Sequence, residues 1–269
     1  MANTVYPNKV IEAKAKDILT TQINARSMMT IDTSLTQNAG MVKTINTYTY
    51  TGTAEEVAAG SGNSTRGSIA YVGKDYTVKM VQQAFDYLDE DFMKDPVIVD
   101  FGIKGATSVM TNKMTSDFYS ALATKGSGST ELVKGITFAK GKALSYDVIV
   151  DAISELNLED ESKVFVVIPN AWKASLRKDQ DYKSARMGEV IYNGQVGTIC
   201  GIPVIASKAL TDKAYVMTKE AVKLFMKKDV EVEQDRDKDK RINSVYLRTA
   251  YISALVDATK ICEISEAKA

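Results

Sequence analysis

The 269-residue chain carries 34 Lys+Arg against 34 Asp+Glu, a formal net charge of zero, and no histidine. The balance excludes a nucleic-acid reader that depends on an overall basic surface, and the lack of imidazole removes the group on which most acid–base, triad and zinc chemistry rests. With 45% hydrophobic and 25% charged residues, the composition is that of a globular protein with a fair-sized core, in one large domain or two ordinary ones.

Near the N-terminus, Val10, Ile11, Ala15, Ile18 and Leu19 recur at helical spacing, which predicts a short amphipathic helix from Asn8 to about Thr20 inside an extended arm. Such an arm cannot bury its own apolar face and needs another surface to lie on. Lys43 to Thr51 (KTINTYTYT) and Ser68 to Val81 (SIAYVGKDYTVKMV) alternate in the manner of strands, around a tip with Gly60, Gly62, Asn63, Ser64 and Gly67. They predict a long hairpin with a flexible polar end, which contacts beyond itself would have to hold. A pair of edge strands in a larger sheet is the alternative.

Asp95-Pro96 predicts a helix start, with a capping Asp and Pro at the first helical position. Ala106, Met110, Met114, Phe118 and Leu122 follow at i+4 spacing, and Gly126 stands past the end, so a long helix with one buried stripe is expected. Gly126 to Ser129 (GSGS) predicts a flexible connector.

Helix and strand alternate beyond it. Ser145 is placed to cap a helix carrying Val148, Ile149, Ala152, Ile153 and Leu156. Lys163 to Ile168 (KVFVVI) predicts a strand buried on both faces, and Pro169-Asn170 a short helix with Trp172 and Leu176. Asn193-Gly194 signals a tight turn, and Gly201 to Ile205 another strand. From Val222 to Ile264 long strands are expected, over Val230 to Asp235 and Ser244 to Val256, with a charged turn at Asp237 to Lys240. The style is α+β.

Motifs for chemistry fail on inspection. Asp235 to Asp239 begins like a calcium loop, but Lys240 replaces the glycine and Tyr246 the bidentate acid. Gly135 to Ala143 (GITFAKGKA) has its second glycine one position late and Ala143 in place of the magnesium-binding hydroxyl of a phosphate loop. Asp86, Asp89, Glu90 and Asp91 form an acidic cluster that helix-dipole stabilisation explains more simply than paired-carboxylate catalysis. Asn63-Ser64-Thr65 matches a glycosylation triplet but reads as a loop tip. Cys200 and Cys262, each beside an isoleucine, read as buried thiols. Met1 to Ile23 has no signal-peptide pattern and no stretch is long and apolar enough to span a membrane, so a cytosolic protein without membrane contact is expected. The expectation is no catalytic, cofactor-binding or metal residues. A His-independent enzyme using Tyr146, Lys163 or Asp181 is the remote alternative. An arm, a projecting hairpin, a long helix and a compact α/β part are instead devices for gripping neighbours, as in a subunit whose stability belongs to its assembly.

The segment from Val164 to Leu210 (VFVVIPNAWKASLRKDQDYKSARMGEVIYNGQVGTICGIPVIASKAL) resembles tailed-bacteriophage major capsid proteins of the Hong Kong 97-type fold. The matching features are a strand ending in Pro169, a helix with Leu176-Arg177-Lys178, a hairpin with Asn193-Gly194 and Gly197, and Gly201-Ile202-Pro203-Val204 followed by Ser207. With the order of elements, the resemblance covers nearly the whole chain. It implies an N-terminal arm over 1–41, an extended β-hairpin loop over 42–82, a peripheral domain with a spine helix over 83–144 and 213–269, and an axial domain over 145–212. It also implies pentamers and hexamers closing an icosahedral shell around double-stranded DNA without reading its sequence. A separate scaffolding protein and a portal would be partners, in a virion assembled in the bacterial host cytoplasm. Some members join extended-loop lysines to asparagines on neighbours; Lys74 and Lys79 are available, but no acceptor is identified and no crosslink is expected. An encapsulin-type nanocompartment shell is the alternative on the same fold.

Overall fold

The computed structural model describes residues 11–15, 28–37, 39–123, 134–181 and 197–267. In chain order its elements are a helical turn α1 (11–15), then β1 (Thr30–Asp32), β2 (Val42–Thr51), β3 (Ser68–Thr77), β4 (Lys79–Leu88), α2 (Asp89–Lys94) and α3 (Ile98–Ala123). There follow β5 (Lys134–Phe138), α4 (Tyr146–Leu156), β6 (Val164–Pro169), α5 (Lys173–Lys178), β7 (Gly197–Ile199) and β8 (Ile202–Ser207). The last are β9 (Lys213–Thr218), β10 (Val222–Asp237), β11 (Ile242–Leu255) and β12 (Ile261–Glu266). The predicted arm helix is described only at 11–15, and the Gly126 cap, the connector to Ser129 and the Asn193-Gly194 turn lie outside the described residues.

Three sheets organise the chain. A four-stranded sheet has the order β1-β10-β11-β4, a six-stranded mixed sheet the order β5-β12-β9-β6-β8-β7, and β2-β3 stand as a sheet of two. The hairpin prediction is therefore met and the larger-sheet alternative is not. The run expected as one strand from Ser68 to Val81 is two: Val78 is buried between them, its N–H donates to the Met41 carbonyl at 2.7 Å, and β4 beyond it pairs with β11.

β6 (VFVVIP) is buried at every position, because it lies at the middle of its sheet with β8 on one side and β9 on the other. On one face of this sheet packs α4, whose Ile149, Ala152, Ile153 and Leu156 are buried at the spacing of one helical face. Asn157 ends it in the left-handed region at φ 50°, a conformation short polar side chains tolerate. Ser145 holds the N-cap position without a side-chain bond; the Tyr146 N–H donates instead to Asp179 Oδ2 at 2.7 Å, so the cap comes from the far end of α5.

The long helix α3 has 26 residues, about 39 Å at 1.5 Å per residue. It begins two residues after Pro96, since the Asp95 carboxylate takes the Val97 N–H and the Asp95 carbonyl the Ile98 N–H. The predicted stripe is buried throughout. Its first half, with Val99, Ile103, Ala106 and Met110, packs on β10 and β11 and on Ile11 and Ala15 of α1. Its second half, with Met114, Phe118 and Leu122, meets Phe165 and Val167 of β6 and Met217 of β9. The buried hydroxyls of Thr107 and Thr111 donate to carbonyls one turn back, at 2.7 and 2.9 Å, which satisfies them within the helix.

β5, β9 and β12 hydrogen-bond into the six-stranded sheet, whereas the sequence division assigns 83–144 and 213–269 to one peripheral unit. The chain crosses between the sheets after β9 and again after β11. The carbonyl of Ala221 at the first crossing accepts from the N–H groups of Val256 and Asp257 at the second. Pairing over such separations depends on partners that local periodicity does not name.

Candidate assembly surfaces

The β2-β3 register sets Tyr48 opposite Tyr71 and Tyr50 opposite Ile69, and since side chains alternate along a strand these four share one face. They are 64 to 70% exposed. The Tyr48 and Tyr71 rings lie 6.3 Å apart, within the range for a cross-strand aromatic pair. At the base the opposite face is anchored, for Ile45 and Tyr76 pack on the cluster of Phe225, Ala250 and Ala254, and Tyr76 Oη donates to the Leu255 carbonyl at 3.0 Å. The outer half of the hairpin thus projects an aromatic surface. Gly67 leaves room for the Tyr50 ring, which a Cβ there would push aside.

Polar contacts link the two sides of the tip. The Glu55 carboxylate accepts from the backbone N–H and hydroxyl of both Ser64 and Thr65. The bonds from Ser64 hold its pKa below the usual range.

A second apolar surface lies on α3. Phe101 is 68% exposed, and Val109 is exposed two helical steps further along the same line, with exposed Gly105 between them. The sequence stripe concealed this face, because its lysines and serines suggested solvent all round the helix.

The acidic cluster is put to structural use. Asp89 pairs with Arg236 of β10 and accepts from Asn243 of β11, and these bonds, Asn243 first, hold its carboxyl below the ordinary range. Glu90 pairs with Arg241 at 2.8 Å. In the calcium-like run, Asp237 Oδ1 accepts from the N–H groups of Asp239 and Lys240, which closes a turn.

The remote catalytic trio is not brought together. Tyr146 lies with Asp179, and the Asp181 N–H donates to the same Asp179, both beyond the C-terminal end of β6. Lys163 precedes its other end, roughly 20 Å away at about 3.3 Å per residue. There it lines a groove with Phe165, Thr218 and Glu220. Cys262 is buried as expected, which pushes its thiol up to about 11. Cys200 is a correction: it is exposed in a tight turn at φ 52°, and its Sγ lies 3.6 Å from Tyr146 Oη. Among the described residues, no three His, Cys, Asp or Glu side chains cluster so as to hold a metal, and no helix is long and apolar enough to cross a membrane.

No protein-family model matches the sequence, and no curated protein does. Solved structures do match. The chain is similar to a chain of the capsid of the cyanophage P-SCSP1u, with 12% identity and a TM-score of 0.71 over 90% of this chain and 87% of that one. The fold is that of phage capsid proteins. This Hong Kong 97-type fold is found over similar spans in the capsid of a native GTA particle, at 13% identity and TM-score 0.68 over 91% of this chain and 90% of that one. A virus-like particle from Pyrococcus furiosus matches at 9% identity and TM-score 0.65 over 96% of this chain and 98% of that one.

Proposed function

We propose that the chain is the major shell subunit of a bacteriophage head, self-assembling into pentamers and hexamers that close an icosahedral capsid around double-stranded DNA. One observation carries the reading: the match to the cyanophage capsid chain spans about nine tenths of both chains, so the likeness takes in nearly the whole of this sequence. The exposed Tyr48, Tyr50, Ile69 and Tyr71 face supports it. Burying such side chains on a neighbour contributes a few kcal/mol per contact at about 25 cal/mol per Å² of apolar area, and repetition round a ring multiplies it.

In this reading 1–41 is the arm and 42–82 the extended loop, both lying on adjacent subunits. The peripheral domain is 83–144, with α3 as its spine helix, together with 213–269, and the axial domain, 145–212, points towards the capsomer axis. The subunit is structural and not enzymatic. Its partners are further copies, a separate scaffolding protein and a portal, and it encloses DNA with a neutral chain that reads no sequence. Assembly takes place in the host cytoplasm and the product is a virion.

A nanocompartment shell on the same fold is the second reading, since the likeness over nearly all of both chains extends to a virus-like particle, from Pyrococcus furiosus, as well as to phage capsids. Electron microscopy of the protein expressed alone, and again with a candidate scaffold, tests both. Closed particles, rings of five or six, or tubes are expected; particles holding DNA support the virus, and particles holding an enzyme the compartment. A uniform monomer under both conditions overturns the shell reading.

A further inference from the structure

The hairpin leaves the body of the subunit at Val78, and a cavity of about 260 Å³ sits at that junction. Lys74 and Tyr76 of β3, Lys79 of β4, Asp117 of α3 and Tyr251 and Ser253 of β11 line it. Three observations give this cavity a chemical preference. Neither Lys74 nor Lys79 has an acidic partner among the described residues; the Lys74 ammonium lies over the Tyr76 ring at 5.3 Å. Asp117, the carboxylate among the lining residues, is already engaged, by Lys113 Nζ at 2.7 Å and by Tyr251 Oη, which donates to it at 2.9 Å. Ser253 is only 6% exposed and its Oγ has no hydrogen-bond partner, an arrangement buried hydroxyls rarely tolerate.

Two lysines with no acidic partner among the described residues and a buried hydroxyl with no hydrogen bond, all lining one cavity, call for an acceptor that carries negative charge. We propose that this cavity binds an oxyanion, held electrostatically by Lys74 and Lys79 and accepting a hydrogen bond from Ser253 Oγ. Its volume is that of roughly nine waters at about 30 Å³ each, enough for a phosphate or for a carboxylate with part of its hydration. Charge-assisted bonds of this kind are stronger than neutral ones. The anion would touch the hairpin, β4 and β11 at once, so its arrival fixes the angle at which the hairpin leaves the body. The same chemistry has two sources, a free inorganic anion or a carboxylate side chain presented by a second copy of this chain.

Inorganic phosphate is the probe, added to the purified protein against sodium chloride of equal ionic strength, with binding followed by calorimetry and by thermal unfolding. The wild type is expected to bind phosphate and to gain roughly 2–4 °C in Tm at saturation. The double variant Lys74→Gln/Lys79→Gln should lose both effects, Ser253→Ala should weaken binding several-fold, and the exposed control Lys104→Gln should keep it. Binding by subunits but not by closed particles assigns the occupant in the shell to a neighbour's carboxylate; binding by both assigns it to a free anion. Absence of phosphate binding in every form, or equal binding by the double variant, overturns the proposal. The soluble chain suffices for this measurement, so its failure is separate from a failure to form shells.

Discussion

The carboxylate of Asp89, at the start of α2, holds the guanidinium of Arg236 on β10 while it accepts from Asn243 on β11. One side chain thus ties the beginning of the helical segment to both strands of the longest hairpin. Because its folded pKa lies below the ordinary value, the stability it contributes is complete above that ordinary value of about 3.9. It is lost as the pH falls through the lower folded value. Asp89→Asn is expected to unfold more easily than wild type from about pH 5 to 7, with the two Tm curves converging in stronger acid. Parallel curves down to acid pH would show that the charge plays no part.

Gly102 and Gly105 lie three residues apart on α3 and should respond oppositely to alanine. A Cβ on Gly105 meets nothing, so Gly105→Ala should stabilise by about 0.5–1 kcal/mol through helix propensity. On Gly102 it would collide with the Phe85 ring, and the crowding, about 1–3 kcal/mol, outweighs the same gain. Denaturant unfolding of both variants checks the order; equal stabilisation would mean that the ring swings aside freely.

Phe118 is fully buried and packs edge-on against Tyr119 at 5.1 Å between centroids. Phe118→Ala should cost about 3–5 kcal/mol and lower Tm by roughly 10 °C. Phe118→Asp should prevent folding, since its charge would have no partner. Soluble Phe118→Asp with a normal unfolding transition would contradict this.

The loop between β2 and β3 contributes exposed, mostly polar side chains. Replacing residues Gly52 to Gly67 by Asn-Gly joins Thr51 to Ser68, whose hydroxyls already lie 2.8 Å apart. A folded, soluble subunit that no longer closes shells is expected. Circular dichroism reads the folding and electron microscopy the closure, and wild-type particles would sink the claim.

Tyr48→Ser/Tyr71→Ser tests the aromatic face more finely. Both rings are exposed, so subunit stability should change by under about 1 kcal/mol, while assembly yield falls at least tenfold. Undiminished assembly would move the contact elsewhere, with the Phe101 and Val109 face as the next surface to alter.

Legibility in the sequence followed the range of the interactions involved. The stripe Ala106 to Leu122 and the strand at Val164 to Ile168 were readable because their burial repeats at a local period. The split at Val78 was not, since it depends on β11, whose Tyr251 pairs with Lys79 far along the chain. Membership of β9 and β12 in the six-stranded sheet was hidden for the same reason. Capping by Asp179 in place of Ser145 was hidden because the capping residue comes from another element. The hairpin's aromatic residues were visible as strand formers, but only the register shows that Tyr48, Tyr50, Ile69 and Tyr71 share a face. The anion cavity has no sequence signal beyond two lysines, as its serine is distinguished only by burial.

The direct continuation of β3 into β4 has a mechanical consequence. A pull along the hairpin passes through Val78 into β4, which is paired with β11 over ten successive positions, from Lys79 with Tyr251 to Leu88 with Ile242. The component of that load along β4 shears the whole ladder and strains many hydrogen bonds together, where a sideways component would open them one after another like a zip. The hairpin is therefore rooted through the whole length of β4, as a tension member and not as a hinged flap.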